Sequence, residues 1–347
     1  MRAWIAGAGA VTLAAALVSP VSADQTISYG GRTFAVPAGW PVVDLTAHPT
    51  ACVRFDRNAV YLGTPGADQR CPSGLRDVTD AVLIEPDGRV TVSGDRFRSM
   101  ATPVERVEQP AMRTVQPGVY TGQGFDACAA PSQATMDAWG ASPYRAIGVY
   151  IGGVHRACAQ PNLTAKWISK QAGTGWHIIP TYVGLQAPCT NFKYKVDWDP
   201  GNARNQGRDG ANDAVEQAKR LGLSAGTVIY NDMEGYNTAD GNCSGAVMSF
   251  LSGWSDRLRE RGFRSGVYSS AGSGITDLVR NFDNRAYSRP DHVWFGWWNG
   301  QANADGGKFL PGDRWGGRRI HQYTGGHDES YNNVTINIDS NFVDVQG

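Results

Sequence analysis

The stretch Thr227-Val228-Ile229-Tyr230-Asn231-Asp232-Met233-Glu234-Gly235 opens on a β-branched apolar run and closes on two acids and a glycine. The apolar half predicts a buried strand, and the acids predict chemistry at its C-terminal end. Strand side chains alternate faces, so Tyr230, Asp232 and Glu234 share one face. Two carboxylates side by side repel as anions. At ~4 Å and an effective dielectric of ~20 that repulsion is on the order of 4 kcal/mol, enough to raise the proton affinity of one acid by a unit or more. A general acid working near neutral pH needs such a shift. A loop ion pair is the ordinary alternative for Asp-x-Glu, so the surroundings of the stretch decide its meaning.

Outward from it, strands and helices alternate from residue 118 onward. Strands are predicted over 119–128, 145–151, 176–182, 264–269, 292–298, 318–323 and 334–342, besides the opening stretch. Helices are predicted over 132–139 with Ser132 as N-cap, and over 163–171 between Asn162 and Gly173. Another covers 209–221, with Ala214, Val215, Ala218 and Leu221 on one face. The next carries Val247, Leu251, Trp254 and Leu258 and stops at Gly262, and a short one spans 275–280. Eight strands with intervening helices over residues 118–347 match a (β/α)8 TIM-type barrel in count and length. It is an irregular one, because helices after the sixth and seventh strands are weak or missing. In such a barrel functional side chains sit at strand C-termini. Asp126, Asp232, Glu234 and Asp339 meet that demand and are the candidate catalytic residues. Asp126 serves equally as a cap for the following helix, and Asp339 as a turn cap.

Candidate substrate contacts are Tyr182, Tyr230, Gln322, Tyr323, Trp294 and Trp298, with Tyr150 a weaker one of the same kind. Gln322 and Tyr323 suit a hydroxylated ligand, and indole faces stack on sugar C–H surfaces. Ordinary strand packing accounts for at least one tryptophan of Trp294, Trp297 and Trp298. The histidines show no His-Glu-x-x-His helix, and neither a Gly-x-Ser-x-Gly elbow nor a phosphate-cradling Gly-Lys-Ser/Thr loop occurs. No metal and no cofactor is expected.

Residues 1–23 read as a signal peptide: an Arg, an apolar run from Ala3 to Val18, and the cleavage pattern Val21-Ser22-Ala23. The expected product is secreted, extracellular or associated with the cell wall, and has no membrane span in the mature chain. Six cysteines in an exported chain point to disulfides. The favoured pairs are Cys52–Cys71, Cys128–Cys158 and Cys189–Cys243. Lys plus Arg and Asp plus Glu number 32 each, with no basic stripe, which argues against nucleic acid as a partner. Residues 24–95 read as a small β-rich domain without a catalytic constellation, with strands near 26–36, 59–63, 81–84 and 90–92. Residues 96–117, polar and proline-bearing, read as a linker.

Three segments in order resemble a known family: Gly124-Phe125-Asp126-Ala127-Cys128, then Tyr230-Asn231-Asp232-Met233-Glu234, then His321-Gln322-Tyr323 through Ile338-Asp339. Residues 118–347 are similar to the glycoside-hydrolase-like barrels called domain of unknown function 1906. These are in turn distantly similar to the lysozymes of glycoside hydrolase family 25. The resemblance implies a glycan substrate, peptidoglycan among the options. Glu234 would protonate the glycosidic oxygen. Asp232 would orient an N-acetyl group or stabilise charge at the anomeric carbon. Asp126 and Asp339 would tune Glu234 or bind sugar. A catalytically inactive glycan-binding or regulatory barrel is the alternative.

Overall fold

The computed structural model describes residues 25–29, 32–36, 39–54, 57–66, 69, 81–86, 90–93 and 115–346. The expected signal peptide, Cys71 of the Cys52–Cys71 pair, and most of the expected linker lie outside the described residues.

The N-terminal strands are β1 (Gln25–Tyr29), β2 (Arg32–Val36), β3 (Val42–Asp44), β4 (Ala59–Leu62), β5 (Ala81–Ile84) and β6 (Val90–Ser93). β1 and β2 form an antiparallel hairpin within the stretch 26–36 read as strand. The other four make a sheet in which β3, β4 and β5 run parallel and β6 antiparallel. β4 and β5 are apolar at every position because both faces of the sheet are covered. Val60, Val82 and Ile84 meet Ile27, Tyr29 and Phe34 of the hairpin. Tyr61, Leu83, Leu45 and Val53 meet Ala159 and Tyr194 of the following region. The strand β3 escaped the sequence reading, since three residues of Val-Val-Asp carry little pattern.

The remaining strands close into a barrel: β7 (Tyr120–Asp126), β8 (Ala146–Gly152), β9 (His177–Tyr182), β10 (Val228–Asp232), β11 (Arg264–Ser270), β12 (His292–Gly296), β13 (Arg318–Tyr331) and β14 (Val334–Val345). Helices α1 (Gln133–Trp139), α2 (Ala165–Gly173), α3 (Pro200–Arg220), α4 (Gly241–Glu260) and α5 (Thr276–Arg280) follow the first five strands in turn. The eight strands are present, but the barrel is mixed rather than a regular (β/α)8 array. β7 to β13 are parallel, whereas β14 is antiparallel to both β13 and β7. No helix separates β13 from β14. Asn332 and Asn333 both take left-handed backbone, the conformation of a two-residue hairpin turn, and send the chain straight back. That Asn-Asn pair was the overlooked signal.

Other boundaries moved for local reasons. α3 starts at Pro200, nine residues before the predicted 209, because Asp199 caps it and proline suits the first helical position. Its early glycines hide it from a propensity reading. Gly207 and, on α4, Gly253 let the two helices touch backbone to side: a Cβ on either would lie 2.0 Å from a carbonyl oxygen of the other helix. α2 is capped by Thr164 rather than Asn162, whose amide instead donates to the Ala130 carbonyl. Ser132 caps α1 as expected. Both disulfides expected in this region, Cys128–Cys158 and Cys189–Cys243, are present. Among the described residues no helix is long and apolar enough to cross a membrane.

Inside the barrel, Ala146, Ile179, Val228, Tyr230, Trp294, Ile320, Val343 and Val345 form a packed floor. The Tyr230 ring fits only because Gly266 faces it. A Cβ at Gly266 would lie 2.3 Å from that ring. Gly266→Ala is therefore expected to destabilise by about 1–3 kcal/mol through overpacking. A fall in Tm on thermal unfolding checks this, and Tyr230→Leu in the same chain should recover part of it.

Candidate active site

The polar end of the barrel lies directly above that floor. The alternation along β10 puts Val228 and Tyr230 inward, and Asp232 continues their face at the strand end. β7 delivers Asp126 as its last residue. β14 runs the opposite way, so Asp339 enters the barrel at the mouth and stands directly opposite Asp126 in register. Asp339 thus reaches the rim without ending a parallel strand, which corrects the strand-terminus argument. Asp126, Asp232, Glu234 and Asp339 all line one cavity. Gly148 makes room for it, since a Cβ there would lie 2.6 Å from Cβ of Asp126 and 3.1 Å from Trp294.

Hydrogen bonds single out Asp126. Its Oδ2 accepts from Asn341 Nδ2 at 2.7 Å and from Gln322 Nε2 at 3.2 Å, and its Oδ1 accepts from the Tyr150 hydroxyl at 3.2 Å. Burial raises its proton affinity, and these donors oppose the rise. Burial, with the surrounding carboxyls, pushes the Tyr150 hydroxyl well above its ordinary value, so it remains a donor. Asp126 is accordingly the acid best held as an anion. Its charge then acts on the others. Burial and the Asp126 charge lift Glu234 to about 7. Burial, then Asp126 and Glu234, lift Asp339 to about 8. Burial, then Glu234 and Asp126, raise Asp232 well above the carboxylate range. One oxygen each of Asp232 and Asp339 is buried without a protein hydrogen-bond partner, which leaves acceptors or donors for a ligand.

Other contacts hold the mouth in shape. Gln322 Oε1 accepts from the Tyr268 hydroxyl at 2.8 Å and from Trp298 Nε1 at 3.1 Å. Trp294 Nε1 donates to Asn341 Oδ1 at 2.8 Å. Gln186, fully buried, accepts from the Glu234 backbone N–H and donates to the Asp232 carbonyl, both at 2.8 Å. It thereby fixes the turn that carries both acids. Gln186, Tyr268 and Asn341 escaped the sequence reading. Gln186 sits in a loop without pattern. Tyr268 and Asn341 were readable only from strand parity once the barrel register was known.

Of the aromatic candidates, Trp294 and Trp298 line the cavity, as does Gln322. Trp298 stands 68 % exposed at the rim, whereas Trp294 is buried among the floor residues. Three candidates lie elsewhere. Tyr182 points away from the barrel axis, donating to Asp213 of α3 and stacking on Trp254. Tyr230 lies one layer below the mouth, under Trp294. Tyr323, next to the inward Gln322, takes the opposite parity and is not among the residues lining the cavity. The cavity measures about 1300 Å³, ample for several sugar units, and Thr50, Arg54, Gly66 and Gln69 of the N-terminal region line it too. Among the described residues no group of three or more His, Cys, Asp or Glu is arranged to hold a metal ion.

The profile of a family described as "Rv2525c-like, glycoside hydrolase-like domain" matches residues 137–343. Among solved structures, the chain is similar to the catalytic domain of endolysin ply40 from bacteriophage P40 of Listeria monocytogenes. That match has 12% identity, covers 65% of this chain and 93% of the other, and has a TM-score of 0.40. It is also similar to a family 25 glycosyl hydrolase from Bacillus anthracis, at 13% identity, 69% and 94% coverage, and a TM-score of 0.38. A third is the modular autolysin LytC from Streptococcus pneumoniae, solved with a synthetic peptidoglycan ligand. It shows 11% identity, coverage of 75% of this chain and 56% of that one, and a TM-score of 0.41. No curated protein matches the chain.

The raised acids make stability depend on pH with a definite sign. A carboxyl titrating at about 8 when folded, against 3.8 ordinarily, contributes stability that is complete below the lower value and is lost as pH rises through the upper one. Asp339→Asn puts an amide of similar shape beside Asp126 and has no charge to bury. Its Tm is expected to exceed the parent's by about 2–4 °C at pH 9, roughly 1 kcal/mol in a chain of this size. The two should converge near pH 4. Thermal scans at the two pH values check both sign and window.

Proposed function

The chain belongs to the Rv2525c-like, glycoside hydrolase-like family, and on that premise we propose that it is a secreted hydrolase of a cell-wall glycan such as peptidoglycan. Glu234 carries the reading. It lines an open cavity large enough for a glycan and, at about 7, still holds its proton in a good share of molecules near neutral pH. A carboxyl so poised can hand a proton to a glycosidic oxygen as the bond breaks. The Asp126 charge keeps that proton on Glu234 until the substrate takes it. Asp232, with one oxygen unpartnered beside Glu234, receives a substrate N–H or faces the positive charge that develops at the anomeric carbon. Asp339, directly opposite Asp126 in register, completes the acid group. Trp298 offers its exposed indole face to a sugar ring.

The same proposal divides the chain into a signal peptide at 1–23, an N-terminal domain at 24–95, a linker at 96–117 and the barrel at 118–347. A second reading, a glycan-binding barrel without turnover, has one observation in its favour. Asp232 is buried and raised far enough to be neutral, which suits hydrogen bonding better than charge stabilisation.

The two readings part on reducing ends released from peptidoglycan. Hydrolysis by the parent protein should fall at least 10²-fold in Glu234→Gln, the usual loss of a general acid. Its kcat/KM should also decline as pH rises above about 7, where Glu234 loses its proton. Trp298→Ala should raise KM several-fold with little change in Tm. No release by the parent, with glycan binding equal in parent and Glu234→Gln, selects the binding reading instead.

A further inference from the structure

We infer that Trp298 and Trp294 are positioning residues whose indole N–H groups turn the side-chain amides of Gln322 and Asn341 so that both amides donate to Asp126. This rests on the acid group of the reading above, but not on turnover. An indole N–H donates and cannot accept, so the amide atom it meets must be the oxygen. Trp298 Nε1 donates to Gln322 Oε1 at 3.1 Å, and Trp294 Nε1 donates to Asn341 Oδ1 at 2.8 Å. Each amide is left with its NH2 group toward Asp126 Oδ2, at 3.2 Å from Gln322 and 2.7 Å from Asn341. The Tyr268 hydroxyl, also on Gln322 Oε1, cannot make that choice, because a hydroxyl rotates to donate or to accept. Trp294 is held by the barrel floor. Trp298 is exposed yet seated, since a Cβ on Gly325 would lie 2.8 Å from its ring.

The consequence falls on one proton. An amide free to turn over would offer its oxygen to neutral Asp126 and accept the carboxyl proton. A fixed NH2 group can serve only the anion. Among the described residues, the titratable groups facing Asp126 are Tyr150 of β8, Asp232 and Glu234 at the end of β10, Tyr268 of β11 and Asp339 of β14. None of these carries a positive charge, so the ionised state of Asp126 depends on its neutral donors. Two of its three donors are amides that an indole has oriented.

Full-length protein labelled with 13C at aspartate is to be titrated by NMR, the Asp126 signal being assigned by its absence from Asp126→Asn. Trp298→Phe keeps an aromatic face and loses the N–H. In it Asp126 should titrate higher by roughly half a unit to one unit, the scale of one hydrogen bond. In Gln322→Met the amide is gone, and adding Trp298→Phe there should move Asp126 no further. Where the parent hydrolyses peptidoglycan, the acid limb of kcat/KM against pH should rise together with the Asp126 titration. If Asp126 titrates alike in parent and Trp298→Phe, or if Trp298→Phe moves it as far without the Gln322 amide as with it, the inference falls while the hydrolase reading stands. If the titration moves as expected and peptidoglycan is not cleaved, the hydrolase reading falls and the inference stands.

Discussion

Four carboxyl groups gathered at one end of a closed barrel are the constraint around which this molecule is arranged. Burying a charge is expensive unless it is hydrogen-bonded, and burying several like charges together is worse. The chain divides the problem. Asp126 receives three donors, from Asn341, Gln322 and Tyr150, and can stay ionised. Burial, and then the Asp126 charge, make its neighbours hold protons, so Glu234 and Asp339 titrate close to neutrality. The stability given up at high pH and the proton still held near neutrality come from the same raised proton affinity.

The reversed last strand makes this arrangement possible. A regular eighth parallel strand would bring only its final residues to the mouth. β14 enters from the mouth and delivers Asp339 and Asn341 in sequence, the first against Asp126 and the second between Asp126 and Trp294. Below them the aromatic floor of Tyr230 and Trp294 closes the barrel, and Gly148 and Gly266 supply the space those side chains need. Gln186 holds the Asp232–Glu234 turn from outside the strand order altogether. The site is thus a product of side-chain parity on seven parallel strands and one antiparallel one.

The N-terminal region contributes loop residues to the cavity lining. Its apolar β4 and β5 are covered on both faces, one by its own hairpin and the other by the barrel region, so it presents polar residues to the cleft from a packed support. Among the described residues of the lining, the ionisable side chains besides those of Arg54, Tyr150 and Tyr268 are carboxyls.

Sequence alone determined the strand count of the barrel and which strands carry the acids. Val228 to Asp232 announces its strand by β-branched composition and its inward face by period-two alternation, and both are local properties. The same holds for the pairing of Asp232 with Glu234, and for the helix caps at Ser132 and, after the fact, Asp199. Tertiary structure alone decided strand direction, because β14 carries the same alternating pattern whichever way it runs, and only its pairing with β7 and β13 tells up from down. It also decided which aromatics meet a ligand. Tyr182 and Tyr323 are one residue out of parity with their inward neighbours Thr181 and Gln322, and Tyr230 is one layer too deep. A sequence shows that an aromatic is on a strand, whereas facing and depth depend on register between strands far apart in the chain.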